Sequence, residues 1–354
     1  MYAPDTPPTG PRGQRGVSII EVMVGMVVAL LVGLAATGSA LMFSASQRQG
    51  IGTGGALINA STALSALRDD AAVAGLGFFG DRKFLCSKLN LSVGTTLVRD
   101  GADFAPLNIT AESAGDRIDI VSATQVVSGA NVLLGASSAG ASAALRSLLP
   151  VNVGQAVLLA PETPGDPCLV RTVTDVTAST DDSAQSLGFG AGATHNQGTF
   201  TTNPTYADKA RIALLGDLRW TRYRREGTDL RLERPLGGAP VVLVRNVVAF
   251  RAEYGRAASA AGSTALETWE GSASVPTMTA AELPSVRALR VGVVTRSPQA
   301  EKPNPTTGVC EATPTMPTLF GATVASDVTD WKCYRYRTAI VVVPLRNLVM
   351  GMTP

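Results

Sequence analysis

The order of apolar patterns predicts an α+β chain: one long N-terminal helix packed on a large antiparallel, β-rich globular domain. Between Val17 and Gln47 the only charged residue is Glu21, a run too long for a strand. Beyond residue 77 the pattern changes to short alternating runs bounded by Gly, Pro, Asn and Asp, which read as strands and turns. A helix followed by many strands packs as a helix on a face of an antiparallel sheet.

Residues 1–16 are rich in Pro and Gly, carry Arg12 and Arg15, and read as a leader outside the mature fold. As a helix, residues 17–43 would span about 40 Å at ~1.5 Å per residue, enough to cross a bilayer of ~30 Å. Residues 44–76 read as a second helical half. Leu57, Ala60, Leu64, Leu67 and Ala71 give it an apolar face at spacings of three and four. Gly50, Gly52, Gly54 and Gly55 are expected to bend or melt the helix there, since each Gly costs about 0.8–1.0 kcal/mol in a helix interior. Gly75 and Gly77 predict its end.

Residues 77–354 make up the head. Residues 117–121, 155–159 and 169–173 read as strands. Segment 135–147, rich in Ala, Ser and Gly, reads as a short helix or a loop. Segment 177–209 is polar and reads as a long surface excursion. The strongest strand pattern is the hairpin of 218–225 and 230–234 around a turn at Glu226-Gly227-Thr228-Asp229. Further strands are predicted at 241–244, 247–254, 289–295 and 334–343. Segments 255–281 and 298–317 read as loops, the first mobile and the second Pro-rich.

The chain has 354 residues and a formal net charge of +2, which is no whole-protein signature of nucleic-acid binding. The six arginines of the hairpin (219, 222, 224, 225, 231 and 234) stand beside Trp220 and Tyr223. They read as a solvated strand face paired with Glu226, Asp229 and Glu233, in preference to a nucleic-acid surface. Arg12 and Arg15 precede the apolar run, so the positive-inside rule places the N-terminus in the cytoplasm and the bulk outside. In a bacterium that is the periplasm, where disulfides form. Four cysteines allow three pairings. We expect Cys310–Cys333, closing a C-terminal loop, and hence Cys86–Cys168. There is no CxxC, one His (His195, expected to be a solvated loop residue), and Asp181-Asp182 without EF-hand spacing. No catalytic constellation, metal site or cofactor is expected, and the chain does not read as an enzyme.

The stretch Arg15-Gly16-Val17-Ser18-Ile19-Ile20-Glu21, with the apolar run behind it, resembles the signal of type IV prepilins and type II secretion pseudopilins. That signal is a basic leader, a Gly, and an apolar segment with Glu at its fifth position. This sequence departs from it at Val17, where the family usually has Phe, and its leader is longer than in many major pilins. The resemblance implies cleavage between Gly16 and Val17 by a prepilin peptidase, methylation of the Val17 amine, and pairing of Glu21 with the N-terminal ammonium of a neighbouring subunit.

Residues 248–255, Trp269, 286–292, 334–337 and 345–347 resemble the pattern of PilW-type minor pilins, as does 74–80. The middle, about 85–215, matches no motif. The resemblance implies a pilin-like minor pilin in the inner membrane, with a single pass and a periplasmic head. It would prime type IV pilus assembly, reach the extracellular tip, and serve twitching motility or adhesion. The implied partners are other minor pilins and the major pilin, the prepilin peptidase, the inner-membrane assembly platform, and lipid around residues 17–43. The alternatives are a J-type pseudopilin of type II secretion, and a tip adhesin or ligand-binding module using loops 177–209 and 255–281.

Overall fold

The computed structural model describes residues 16, 18–80, 83–124, 132–162, 165–179, 184–258, 265–304 and 306–350. The expected leader (1–15), the residue after the expected cut (Val17) and Asp181-Asp182 lie outside them. The chain divides into two compact units, one ending at Gly52 and one beginning at Thr53.

Helix α1, Ile19–Ala72, has 54 residues and stays helical across residues 50–55. The melting expected at Gly50, Gly52, Gly54 and Gly55 is therefore absent. Glycine weakens a helix but keeps its N–H, and propagation from existing turns needs no new nucleus.

In the second unit, Ala60, Ala63, Leu64, Leu67, Ala71 and Ala74 are buried in one cluster with residues such as Ile109, Ile118, Tyr223, Leu289 and Val291. Leu57, assigned to this face by spacing, is 47% exposed. The Tyr223 hydroxyl donates to Asp70 Oδ2 at 2.7 Å. Burial and this bond push the phenol's pKa well above its usual range. The chain leaves α1 through Gly75 and Gly77, at φ +77° and +86°. A Cβ on Gly77 would lie 2.6 Å from that of Ala123.

Three larger sheets follow. In the first, the strand order is Thr96–Asp103, Lys88–Val93, Cys168–Thr172, Ala156–Ala160, Arg211–Gly216 and Val132–Leu133. Lys88–Val93 pairs in parallel with Cys168–Thr172. The Cys86–Cys168 disulfide stands at that junction. The second sheet runs Val241–Val244, Asp229–Glu233, Leu218–Glu226, Gly115–Ala123, Leu107–Glu112. It contains the expected hairpin, with Arg222 opposite Glu233 and Tyr223 opposite Leu232. The third runs Thr268–Gly271, Val247–Arg256, Val286–Arg296, Tyr336–Pro344 and is antiparallel throughout. The loop before its last strand is closed by Cys310–Cys333.

Three segments read as loops are built into the structure. Ser142–Leu145, within 135–147, is a strand with Ala143 and Leu145 turned inward. It pairs with Gln185–Gly188, inside the supposed surface excursion. That excursion also buries Leu187, Phe189, Phe200 and Tyr206. Thr268–Gly271 lies in segment 255–281, where Val275 and Met278 are also buried. Residues 259–264 of that segment lie outside the described residues. Here the inward positions are single apolar residues among small polar ones, too sparse to show a period.

His195 is a further correction. It is 9% exposed, and its Nδ1–H donates to the Ser92 carbonyl at 2.7 Å. Arg171 Nη1 donates to the His195 carbonyl, and the Asn196 amide exchanges two hydrogen bonds with the Thr172 backbone. A polar loop is buried here because its polar groups are satisfied by the sheet beneath.

The strands Gly115–Ala123 and Leu218–Glu226 are adjacent, and Ala123 faces Leu218. Thr124 N–H donates to the Asp217 carbonyl at 3.1 Å, and Asp217 N–H donates to Thr124 Oγ1 at 2.9 Å. Everything between leaves and returns through this clasp.

Candidate assembly surface

The described chain starts at Gly16, which is exposed and has open space where a Cβ would stand. Ser18 precedes the first helical residue, and its carbonyl accepts from the N–H groups of Glu21 and Val22 at 3.0 and 3.1 Å. Ser18 followed three residues later by Glu21 is a Ser-x-x-Glu helix-start pattern. A carboxylate in the first turn also lies where the helix dipole favours negative charge.

Behind Glu21, Ile19–Ala40 has a mean hydropathy of 2.6 and none of it is buried. Ile19, Leu30 and Leu34 are each more than 70% exposed. The side-chain hydroxyls here are satisfied within the helix: Thr37 donates to the Gly33 carbonyl and Ser39 to that of Ala35, each at 2.9 Å. That is what an apolar surrounding requires of a helix. Glu21 is the one charge in the segment.

In the head, the residues that carried the sequence resemblance form a structural knot. Arg290 pairs with Glu253, and its guanidinium carbon lies 4.5 Å from the Trp269 ring centre and 4.3 Å from that of Phe320. Gly292 leaves room for the neighbouring cover, since a Cβ there would be 2.4 Å from Leu319 Cδ1. Arg335 pairs with Glu301. These groups hold the third sheet to its covering loops.

Among the described residues three of the six hairpin arginines, Arg222, Arg224 and Arg231, form ion pairs, and Glu226 and Glu233 are among their partners as expected. Arg224 meets Glu233 at 2.6 Å and Arg231 meets Glu226 at 2.7 Å. Among the described residues no ion pair involves Asp229. The central acceptor is Asp119, absent from the sequence reasoning. It takes Arg222 at 2.7 Å, and Arg117 and Trp220 Nε1 at 2.9 Å each. Arg225 turns inward to the Ala114 and Val247 carbonyls, and burial lowers its pKa. Among the described residues no group of three or more His, Cys, Asp or Glu could hold a metal ion.

Residues 223–347 match the family described as Type IV Pilus-assembly protein W. Residues 11–37 match the Prokaryotic N-terminal methylation motif. Among solved structures, a type IV-like pilin from Thermus thermophilus aligns with 82% of this chain and 97% of its own, at 12% identity and a TM-score of 0.33. None of the curated proteins matches the sequence significantly.

Proposed function

We propose, from the premise that this chain is a PilW-type minor pilin, that it helps to prime assembly of a type IV pilus and sits at or near the tip. The prepilin peptidase cuts between Gly16 and Val17, and the Val17 amine is methylated. Ile19–Ala40 holds the chain in the inner membrane, with the head in the periplasm. The segment then leaves lipid for a bundle of other pilin helices. There Glu21 meets the N-terminal ammonium of a neighbour, and a charge that is costly in lipid becomes favourable.

The observation that carries this reading is the place of Glu21, in the first turn of an apolar segment of which nothing is buried. Such a surface needs lipid or other helices around it. The large head, within the compact unit Thr53–Pro354, fits a tip position better than regular repetition along a shaft.

The test is the mature N-terminus, read by mass spectrometry on membranes and sheared pili of the native host. A methylated chain starting at Val17, and an uncut chain when the peptidase gene is deleted, is the expected result. An uncut chain in a peptidase-positive host would overturn the reading. Deleting the gene should lower the number of pili, and tagged protein should appear at pilus ends by immunogold labelling.

A further inference from the structure

Among the described residues, the third sheet ends in an unpaired edge. Tyr336–Pro344 is nine residues long and, among those residues, pairs only with Val286–Arg296, without a register shift. Leu345 N–H donates to the Arg287 carbonyl directly opposite it, and Ser297 N–H to that of Arg335. In an antiparallel ladder hydrogen-bonded pairs alternate with non-bonded ones. These two bonds fix the phase. Residues 337, 339, 341 and 343 bond to the neighbouring strand, while 338, 340 and 342 aim their N–H and C=O groups outward. Among the described residues, no backbone hydrogen bond from a turn or loop reaches those three.

Two of these three show apolar side chains to solvent, with Ile340 53% and Val342 51% exposed. Proteins protect such edges with lysine, inward charge, bulges or proline. Tyr336–Pro344 has no Lys and no bulge; its one charge, Arg337, and its proline stand at its two ends. At each end stands an exposed arginine, Arg337 and Arg346, and among the described residues neither is paired with a carboxylate.

We propose that this edge receives an extended strand from a different polypeptide of the pilus assembly. The incoming strand has β-branched or other apolar residues at alternate positions and a carboxylate near each end. The outward amides call for a strand, Ile340 and Val342 for apolar side chains on one face, and the two arginines for the acidic flanks. A second copy of this chain fits poorly, because it would bring the arginines of both edges together without carboxylates between them. The proposal rests on the assembly reading for where the partner is met.

The experiment compares amide hydrogen exchange, at residue resolution, between the detergent-solubilised full chain and the chain within sheared pili. The amides of Thr338, Ile340 and Val342 should slow by about tenfold or more in pili. Ile340→Pro removes only an outward donor, so the variant should keep the wild-type Tm yet be lost from pili. If its Tm falls, Ile340→Lys, which keeps every backbone bond, decides the matter by the same loss. A chain beginning at Val17 and present in pili with these amides unprotected would overturn the inference and leave the assembly reading intact. So would Ile340→Lys assembling like wild type. Protection in the solubilised chain together with a dimer mass would overturn it in favour of a second copy. An uncut chain absent from pili would overturn both readings.

Discussion

Asp119 shows how much one residue can hold. It is 2% exposed and is the shared acceptor of Arg117, Arg222 and Trp220. Asp119→Ala should cost ~3 kcal/mol, because two guanidiniums and an indole N–H lose their acceptor together. Asp119→Asn, which keeps a carbonyl for Trp220, should cost less; urea unfolding of the solubilised full chain measures both. His195 makes stability depend on pH. Desolvation, and to a smaller degree Arg171, hold its pKa below the ordinary 6.5 against the opposing Ser92 bond. In the window from 6.5 down to the folded value the unfolded chain binds the extra proton, so stability falls as pH drops through it. His195→Gln should flatten that loss between about pH 7 and pH 5 in thermal melts; an unchanged acid limb would count against it. Neither residue's role was legible in the sequence. The Asp119 partners Trp220 and Arg222 lie 101 and 103 residues away, and nothing local to His195 announces the Ser92 carbonyl.

At the scale of elements, period was a good guide where an apolar face was dense. Leu64, Leu67 and Ala71 were placed correctly, while Leu57 was not, since spacing gives a face but not where the head stops covering it. Leu67→Ala should cost about 2–5 kcal/mol as a buried truncation, and Leu57→Ala within about 0.5 kcal/mol as a surface change. The same urea titration separates them. The two disulfides differ in reach, with cysteines 82 and 23 residues apart. In the chain-entropy account, replacing Cys86 and Cys168 with Ser should cost ~4.5 kcal/mol and replacing Cys310 and Cys333 ~3.4 kcal/mol. The order of the two midpoints is the check. The short strands of the middle escaped notice because four residues with two inward apolar side chains, as in Ser142–Leu145, leave too little pattern.

For the whole molecule, the N-terminal segment was legible because Gly16, Glu21 and the length of the apolar run coincide. The α+β class was legible because the pattern changes once and stays changed. Strand order was not, for no local pattern says which strand ends a sheet, and the edge at Tyr336–Pro344 emerges only from the assembled topology. Substituting Glu21 with Ala should leave the Tm of the detergent-solubilised full chain unchanged while lowering the amount of chain in sheared pili, read by immunoblot. Equal incorporation would remove Glu21 from the assembly role. On the proposed assembly reading Glu21, unlike Asp119, serves a contact with another subunit, so fold stability should not register its loss.

The clasp of Thr124 and Asp217 gives the head a modular grammar. Because the chain departs and returns at one point beside a paired Ala123 and Leu218, the strands on either side amount to a hairpin into which a guest has been spliced. Insertions are best tolerated where both ends meet at such a point. The guest is not wholly self-contained, since Lys88–Val93 and Thr96–Asp103 join its sheet from outside and Cys86 ties them to Cys168. Variation in size and surface can therefore accumulate within the splice while the hairpin and the helix seam keep their register. A designer exchanging the guest would need to carry those two strands and both cysteines with it.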